Sequence, residues 1–429
     1  MTFCLFWPTG ASCDKDAFFD PQILKKRDKP MSRLKEFVLE VGKIGEDTES
    51  SEPKGISRIR NSKEYYEAVD KTRELMEGAG MTVTVDGVGN IHGYLKGKDP
   101  SKKILAVGSH LDTVLHGGIF DGNLGVMSAI ECAYRLKEQG ICLEHDLEIF
   151  GFNFEESSSL GGTFGSRAIL GLADTSTPNM VEAMKEYHLT EEQIRGAKID
   201  GSKYKSYLEL HIEQGGTLDR EKLDIGIVTG IIGVCRYDII ANGISNHAGT
   251  TKMEYRKDAL VAMSKLIVKI NDLALAYGDN FVATVGMINV EPGAENVVPG
   301  RCKVTLEMRH MKKEMYENFI KEIMEYSKSI PDAEFDFIPL IEKSSVQSDA
   351  RIMDLMEKAC KDCGVKYIRM PSGAGHDANP MAHFMPMGMI FVPSKDGVSH
   401  SRFEWTDWEY VDKGADVLYH TILELDKEA

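Results

Sequence analysis

The chain has 429 residues, 42% of them hydrophobic and 28% charged, an ordinary balance for a soluble globular protein and too long for one compact core, so two domains are expected. Its 67 acidic against 51 basic side chains give a formal net charge of −16, which argues against nucleic acid or an anionic membrane surface as a partner but leaves room for a small anionic substrate held by one or two arginines. No apolar run reaches the roughly 20 residues of a membrane span, and eight scattered cysteines make no disulfide framework, so the cytoplasm is the expected address.

In chain order, residues 1–30 open with a short apolar patch that has no basic segment before it. They read as a loosely ordered extension, native or not, ahead of Met31 rather than as a secretory signal. Four apolar runs further on share one design. Residues 104–107 lead into His110-Leu-Asp112, 147–152 into Glu155-Glu156, 207–210 into His211, and 389–392 through a short loop to His400. Each reads as a buried strand that ends in a residue able to bind metal. A helical pattern runs from about Asp121 to Glu138. Another covers 352–363, where Cys360-x-x-Cys363 lacks the second cysteine pair or βαβ context that a zinc or redox site requires. Strands alternating with helices imply an open α/β sheet whose ligands gather beyond the carboxyl ends of its strands, so the four ends should meet on one edge.

The middle of the chain, 217–348, changes character. Strand-like runs at 225–231, 234–241, 281–290 and 302–309 mix with helical stretches at 257–276 and 312–329. This reads as an inserted α+β domain, ferredoxin-like, which makes the first domain discontinuous, 31–216 plus 349–429.

Imidazole and carboxylate together suit Zn, Mn, Co or Ni. Without cysteine ligands, and without an H-E-x-x-H helix, neither a structural zinc nor a mononuclear protease plan fits. Two adjacent ions need a bridging carboxylate, and Asp121 in the Gly-Gly-Ile-Phe-Asp-Gly-Asn loop is placed for it, because glycines let the backbone come close. Glu155 and Glu156 alone would read as surface acids; the apolar strand before them points instead to a functional rim. Alternation along a strand predicts that their carboxylates point apart, one to bind metal and one to act as general base toward water.

His110-Leu-Asp112, residues 117–125 (GGIFDGNLG), Phe154-Glu155-Glu156, 209–215 (ELHIEQG), 246–251 (NHAGTT), 295–299 (ENVVP), 372–377 (SGAGHD) and Val398-Ser-His400-Ser together resemble the hydantoinase/carbamoylase branch of the M20 metallopeptidase-like family. The resemblance covers nearly everything from Met31 onward. It implies a di-metal centre with His110 and His211 on one ion, Glu156 and His400 on the other, and Asp121 bridging. Glu155 would be the general base, and Asp112 would orient His110 through its other ring nitrogen. The inserted segment would be a lid and dimerisation domain, in which His247 crosses to the partner subunit and steadies the oxyanion. On its residues alone His247 is an ordinary turn histidine; only the N-H-A-G-T-T context says otherwise. Gln214, Asn296, Arg309, Gly373 and His376 match positions that hold substrate, with Arg309 suited to a carboxylate.

The branch implies hydrolysis of a linear C–N amide, first of all an N-carbamoyl-L-amino acid. Allantoate comes next, then the β-ureidopropionase reaction or an M20 dipeptidase or aminoacylase, which His211 in place of an acid disfavours. A non-catalytic metal-binding scaffold is the rival of another class, and the presence of Glu155 speaks against it. One departure stands out: where the family shows Gly/Ser-x-Arg-Phe after the glutamate pair, this chain has 157–163 (SSSLGGT), which alters the shape and charge of the nearby pocket.

Overall fold

The computed structural model describes residues 32–48, 51–278 and 281–428; the expectation for residues 1–30 lies outside them. The four apolar runs become four adjacent parallel strands, in the spatial order Leu147–Phe152, Ile104–His110, Tyr204–Ile212, Met387–Val392. Nearly every residue in them is buried. Helices cover both faces of the sheet, and so these strands are continuously apolar instead of alternating. Helices Arg33–Gly42, Lys63–Gly78, Asn123–Glu138, Ala350–Asp362 and Trp408–Lys427 pack one core against one face, while Phe164–Ile169 and Ala378–Met381 belong to a second core on the other. Cys360 is buried in the first of these cores, as a small apolar side chain would be.

The hairpin Thr82–Val85 and Ile91–Leu95 extends one side of this sheet. On the other side Ile225–Ile231 runs antiparallel to Met387–Val392 and is flanked in turn by Tyr367–Ser372 and Val346–Gln347, giving a mixed nine-stranded sheet. A separate four-stranded antiparallel sheet has the order Glu334–Lys343, Gly233–Asn242, Arg301–His310, Val282–Glu291. Helices Ala259–Tyr277 and Lys313–Ser327 cover one of its faces around a third core, in the β-α-β-β-α-β chain order of a split βαβ unit.

Two strands differ from expectation, each for a physical reason. Ile225–Ile231, grouped by its place in the chain with the middle segment, joins the large sheet. Six of its seven residues are buried, a both-sided apolar strand that a sheet covered on one face cannot use. Glu334–Lys343 is a strand despite Pro339 in its middle. It lies at the sheet edge with a register shift between Pro339 and Ile341, where a missing N–H leaves no ladder partner unmet. No helix among the described residues is long and apolar enough to cross a membrane.

Candidate metal centre

The carboxyl ends of the four parallel strands lie side by side, and the loops leaving them bring five residues together. Asp121 sits at their centre. Its Oδ1 is 3.2 Å from His211 Nε2 and 3.5 Å from His110 Nε2, and its Oδ2 is 3.2 Å from His400 Nε2. Glu156 Oε1 lies 3.6 Å from His400 Nε2 on the far side. Two candidate ligand groups, His110–Asp121–His211 and Asp121–Glu156–His400, therefore share one carboxylate. Asp121 approaches this closely because Gly122 takes φ +66°; a Cβ there would lie 2.4 Å from His110 Nδ1. His400, at φ 52°, adopts a left-handed turn that an ordinary residue takes only at a cost.

Does this set fit a divalent ion? The backbone carbonyls of Asp112 and Ile212 accept from Nδ1 of His110 and His211, each at 2.9 Å. That fixes the tautomer which turns two Nε2 lone pairs toward Asp121. Asp121 Oδ1 and Glu156 Oε1 are buried and accept no hydrogen bond, an expensive state unless a cation satisfies them. Burial, then the neighbouring Asp121, pushes Glu156 up to about 7, and burial holds Glu155 well above its ordinary value. Imidazole nitrogens and orphaned carboxylate oxygens converging in a buried pocket are the donor set of a Zn-like ion.

The remaining expected residues divide. Glu155 Oε2 lies 4.0 Å from His110 Nε2, and Glu155 and Glu156 offer oxygens to the same group around His110. They do not point apart as strand alternation predicts. The strand ends at Phe152 and Phe154 takes φ +60°, so the two acids leave a turn rather than a pleat. Asp112 orients His110 through its carbonyl; its carboxylate, 3.9 Å from that ring, instead accepts the backbone N–H of Glu155 at 3.1 Å and of Glu156 at 3.2 Å. Gln214 donates to Asp121 Oδ2 at 3.1 Å.

Arg309 donates to Glu307 at 2.7 Å and to the Gly373 carbonyl at 2.6 Å. His376 is buried, with Nε2 2.9 Å from the Ser372 hydroxyl and its ring against His211. At the helix start that follows, the Ala378 N–H already donates to Glu209 at 2.8 Å and is not open to an anion. His247 and Asn296 lie together on a short exposed two-stranded ribbon. Among the described residues, no hydrogen bond or ion pair joins either to the Asp121 cluster. Gly249 and Thr250 donate to His247 Nδ1, leaving Nε2–H as an outward donor.

Residues 106–424 match the Peptidase family M20/M25/M40. The chain belongs to that family. Over 405 residues this M20 chain is 36% identical to the N-carbamoyl-L-amino acid amidohydrolase of Geobacillus stearothermophilus, covering 92% of the chain and 98% of that protein. It is 33% identical to the allantoate amidohydrolase of Escherichia coli strain K12, covering 82% and 89%. Its structure is similar to that of a hydantoinase/carbamoylase family amidase from Burkholderia multivorans, with a TM-score of 0.82 and 30% identity over 92% of the chain and 98% of that structure. The M20 chain is thus a hydrolase, related to amidohydrolases of linear amides, in a family that depends on metal.

Motif reading gives no role to several residues that shape this M20 site. Glu404, buried, accepts from the N–H groups of Phe120 at 3.0 Å and Asp121 at 3.1 Å and from the Ser399 hydroxyl at 3.0 Å, tying the Asp121 loop to the His400 loop. Arg58, fully buried, donates to the carbonyls of Leu111, Val41 and Ile44 and steadies the turn after His110. Glu209 and Asp377 are buried behind His211 and His376. Neither Glu404 nor Arg58 follows an apolar strand, so the pattern that finds the ligands passes over them. In the departed segment 157–163, Arg167 donates to the carbonyls of Leu160 and Gly162 and so holds the loop from below.

Proposed function

We propose that this enzyme hydrolyses the terminal C–N bond of an N-carbamoyl-L-amino acid at a two-metal centre, releasing ammonia and a carbamate that breaks down to CO2 and the L-amino acid. The observation that carries the reading is Asp121 shared between two ligand groups, with Glu155 beside them. His110 and His211 would hold one divalent ion, Glu156 and His400 the other, and Asp121 both; Zn, Mn, Co and Ni all suit these donors. When bound, such a pair supplies positive charge for the substrate carbonyl and favours ionisation of water. Glu155 Oε2 takes the proton from the attacking water and passes it to the departing nitrogen, its carboxyl kept near by the Asp112 hold on its backbone.

His247, with Nε2–H facing outward from the ribbon, supplies the oxyanion donor to the partner site of a homodimer, and Asn296 travels with it. The segment 217–348 serves as lid and dimerisation domain. Arg309 and Gln214 face the substrate's polar ends, and Gly373 and His376 form the wall behind it. The E. coli relative keeps allantoate as a second reading, since a ureido group beside a carboxylate offers the same handles.

The test is ammonia release from N-carbamoyl-L-amino acids, N-carbamoyl-β-alanine, allantoate and dipeptides, with each metal added to stripped protein. A dipeptide giving the highest turnover refutes the carbamoyl reading. Glu155→Gln should bind two metals yet lose roughly 10²–10⁴-fold in turnover. Mixing Glu155→Gln and His247→Ala chains should restore activity only if His247 acts across the dimer.

A further inference from the structure

The face of the four-stranded sheet opposite its helices carries an unbalanced positive charge where it approaches the metal centre. The register puts Lys343 and Arg309 on either side of Val234 in one row, with Arg236 and Glu307 paired in the row beside it. Residues of that face alternate with Cys235, Leu306 and Met308, which point into the helix-covered core, so the charged set projects the other way. Among the described residues Glu307 is the one carboxylate bonded to this group, to both Arg236 and Arg309. Arg309 also donates to Gly373 in the loop whose His376 packs on His211, which fixes this end of the sheet against the centre.

With Nε on Glu307 and Nη1 on Gly373, Arg309 keeps only Nη2 open among the described residues. Lys343 is exposed and has no hydrogen bond or ion pair among the described residues. Crowding by neighbouring protein, together with Arg167, lowers its affinity for a proton, and Glu155 opposes this. Lys343 is therefore within electrostatic reach of Glu155. Two of the three cations are paired with Glu307, and Lys343 is left without a partner among the described residues.

We infer that Lys343, backed by Arg236 and Arg309, forms a cationic subsite that favours ureido acids carrying a second carboxylate over those carrying one. The inference rests on the amidohydrolase reading above and adds a preference within it. A carboxylate meeting an unpaired ammonium in a cleft gains a charge-assisted hydrogen bond. A monocarboxylate already held elsewhere in the site would leave Lys343 unused.

The experiment compares kcat and KM for N-carbamoyl-L-aspartate and N-carbamoyl-L-alanine in the metal-loaded wild type, Lys343→Met and Lys343→Arg. In wild type the aspartate derivative should lead, and Lys343→Met should raise its KM about tenfold with kcat and the alanine derivative little changed, while Lys343→Arg keeps the preference. Calorimetry of succinate against butyrate on the same proteins reads the second carboxylate without turnover, and only succinate binding should weaken in Lys343→Met. Equal loss for both substrates, or unchanged succinate binding, overturns the subsite. Absence of ammonia from any ureido acid, with succinate still preferred, would instead overturn the amidohydrolase reading and spare the subsite.

Discussion

Replacing Gly122 by alanine tests whether the metal centre depends on the backbone standing where a side chain cannot. The added Cβ would lie 2.4 Å from His110 Nδ1 and 2.5 Å from Cε1 and Cγ, whereas carbon contacts settle near 3.5 Å. The ring or the loop must then give way by about 1 Å. A move of that size breaks the 2.9 Å bond from His110 Nδ1 to the Asp112 carbonyl, which is worth about 1 kcal/mol. Overpacking adds about 1–3 kcal/mol, and φ +66° with ψ −52°, outside the left-handed helical well, strains an alanine by about 1–3 kcal/mol more.

Gly140 supplies the control. Its φ is +63°, but a Cβ there meets nothing within 4 Å, so Gly140→Ala carries a positive-φ cost of about 1–2 kcal/mol with no clash. Urea unfolding of the stripped proteins should show Gly122→Ala as the more damaging by about 2–4 kcal/mol, and metal affinity should fall roughly 10–100-fold in that variant alone. Equal destabilisation of the two variants, with metal affinity intact in both, would refute the steric account of the loop.

Glu404→Ala strips two backbone N–H groups at Asp121 of their acceptor. It should destabilise the protein by about 2–4 kcal/mol and weaken metal binding by about 10-fold or more, measured by competition with a chelating dye. His92, buried in the hairpin beside the strand Leu147–Phe152, has Nδ1 3.1 Å from Glu148 and Nε2 3.4 Å from Asp86. Burial disfavours its charged form, but these two acids raise it from 6.5 to about 9. A raised histidine stabilises fully below its unfolded value and loses that contribution as pH rises through the folded one. Urea midpoints should therefore drop between pH 6.5 and 9.5 by up to about 3 kcal/mol more in wild type than in His92→Gln, and parallel pH profiles would contradict this.

Four of the five candidate ligands, His110, Glu156, His211 and His400, were legible because each stands at or just beyond a buried strand, and burial on both faces leaves a largely apolar run; Asp121 was legible from its glycine loop instead. Adjacency of those four strands followed from the α/β pattern. Their supports were not legible. Glu404 reaches the Asp121 N–H across 283 positions and Arg58 reaches the Leu111 carbonyl across 53, and a residue's own neighbours in sequence say nothing of such partners. Glu155 and Glu156 show the opposite failure, since a local rule, strand alternation, was applied one turn beyond the strand's end. Pro339 hid an edge strand for a related reason: propensity ignores whether the N–H it removes would have had a partner.

The spatial order of the parallel strands also bears on how the molecule is made. Met387–Val392, the last strand in the chain, lies between Tyr204–Ile212 and Ile225–Ile231 in the middle of the large sheet. Residues through Val392 must all leave the ribosome before that gap can close. Until then two inner strands present open ladders, a template for mispairing with another nascent chain. Pairings this distant in sequence form slowly. His400 emerges only after the closing strand, so a chain that has gathered all five candidate ligands has already completed the four parallel strands, and metal capture at this centre would report finished folding.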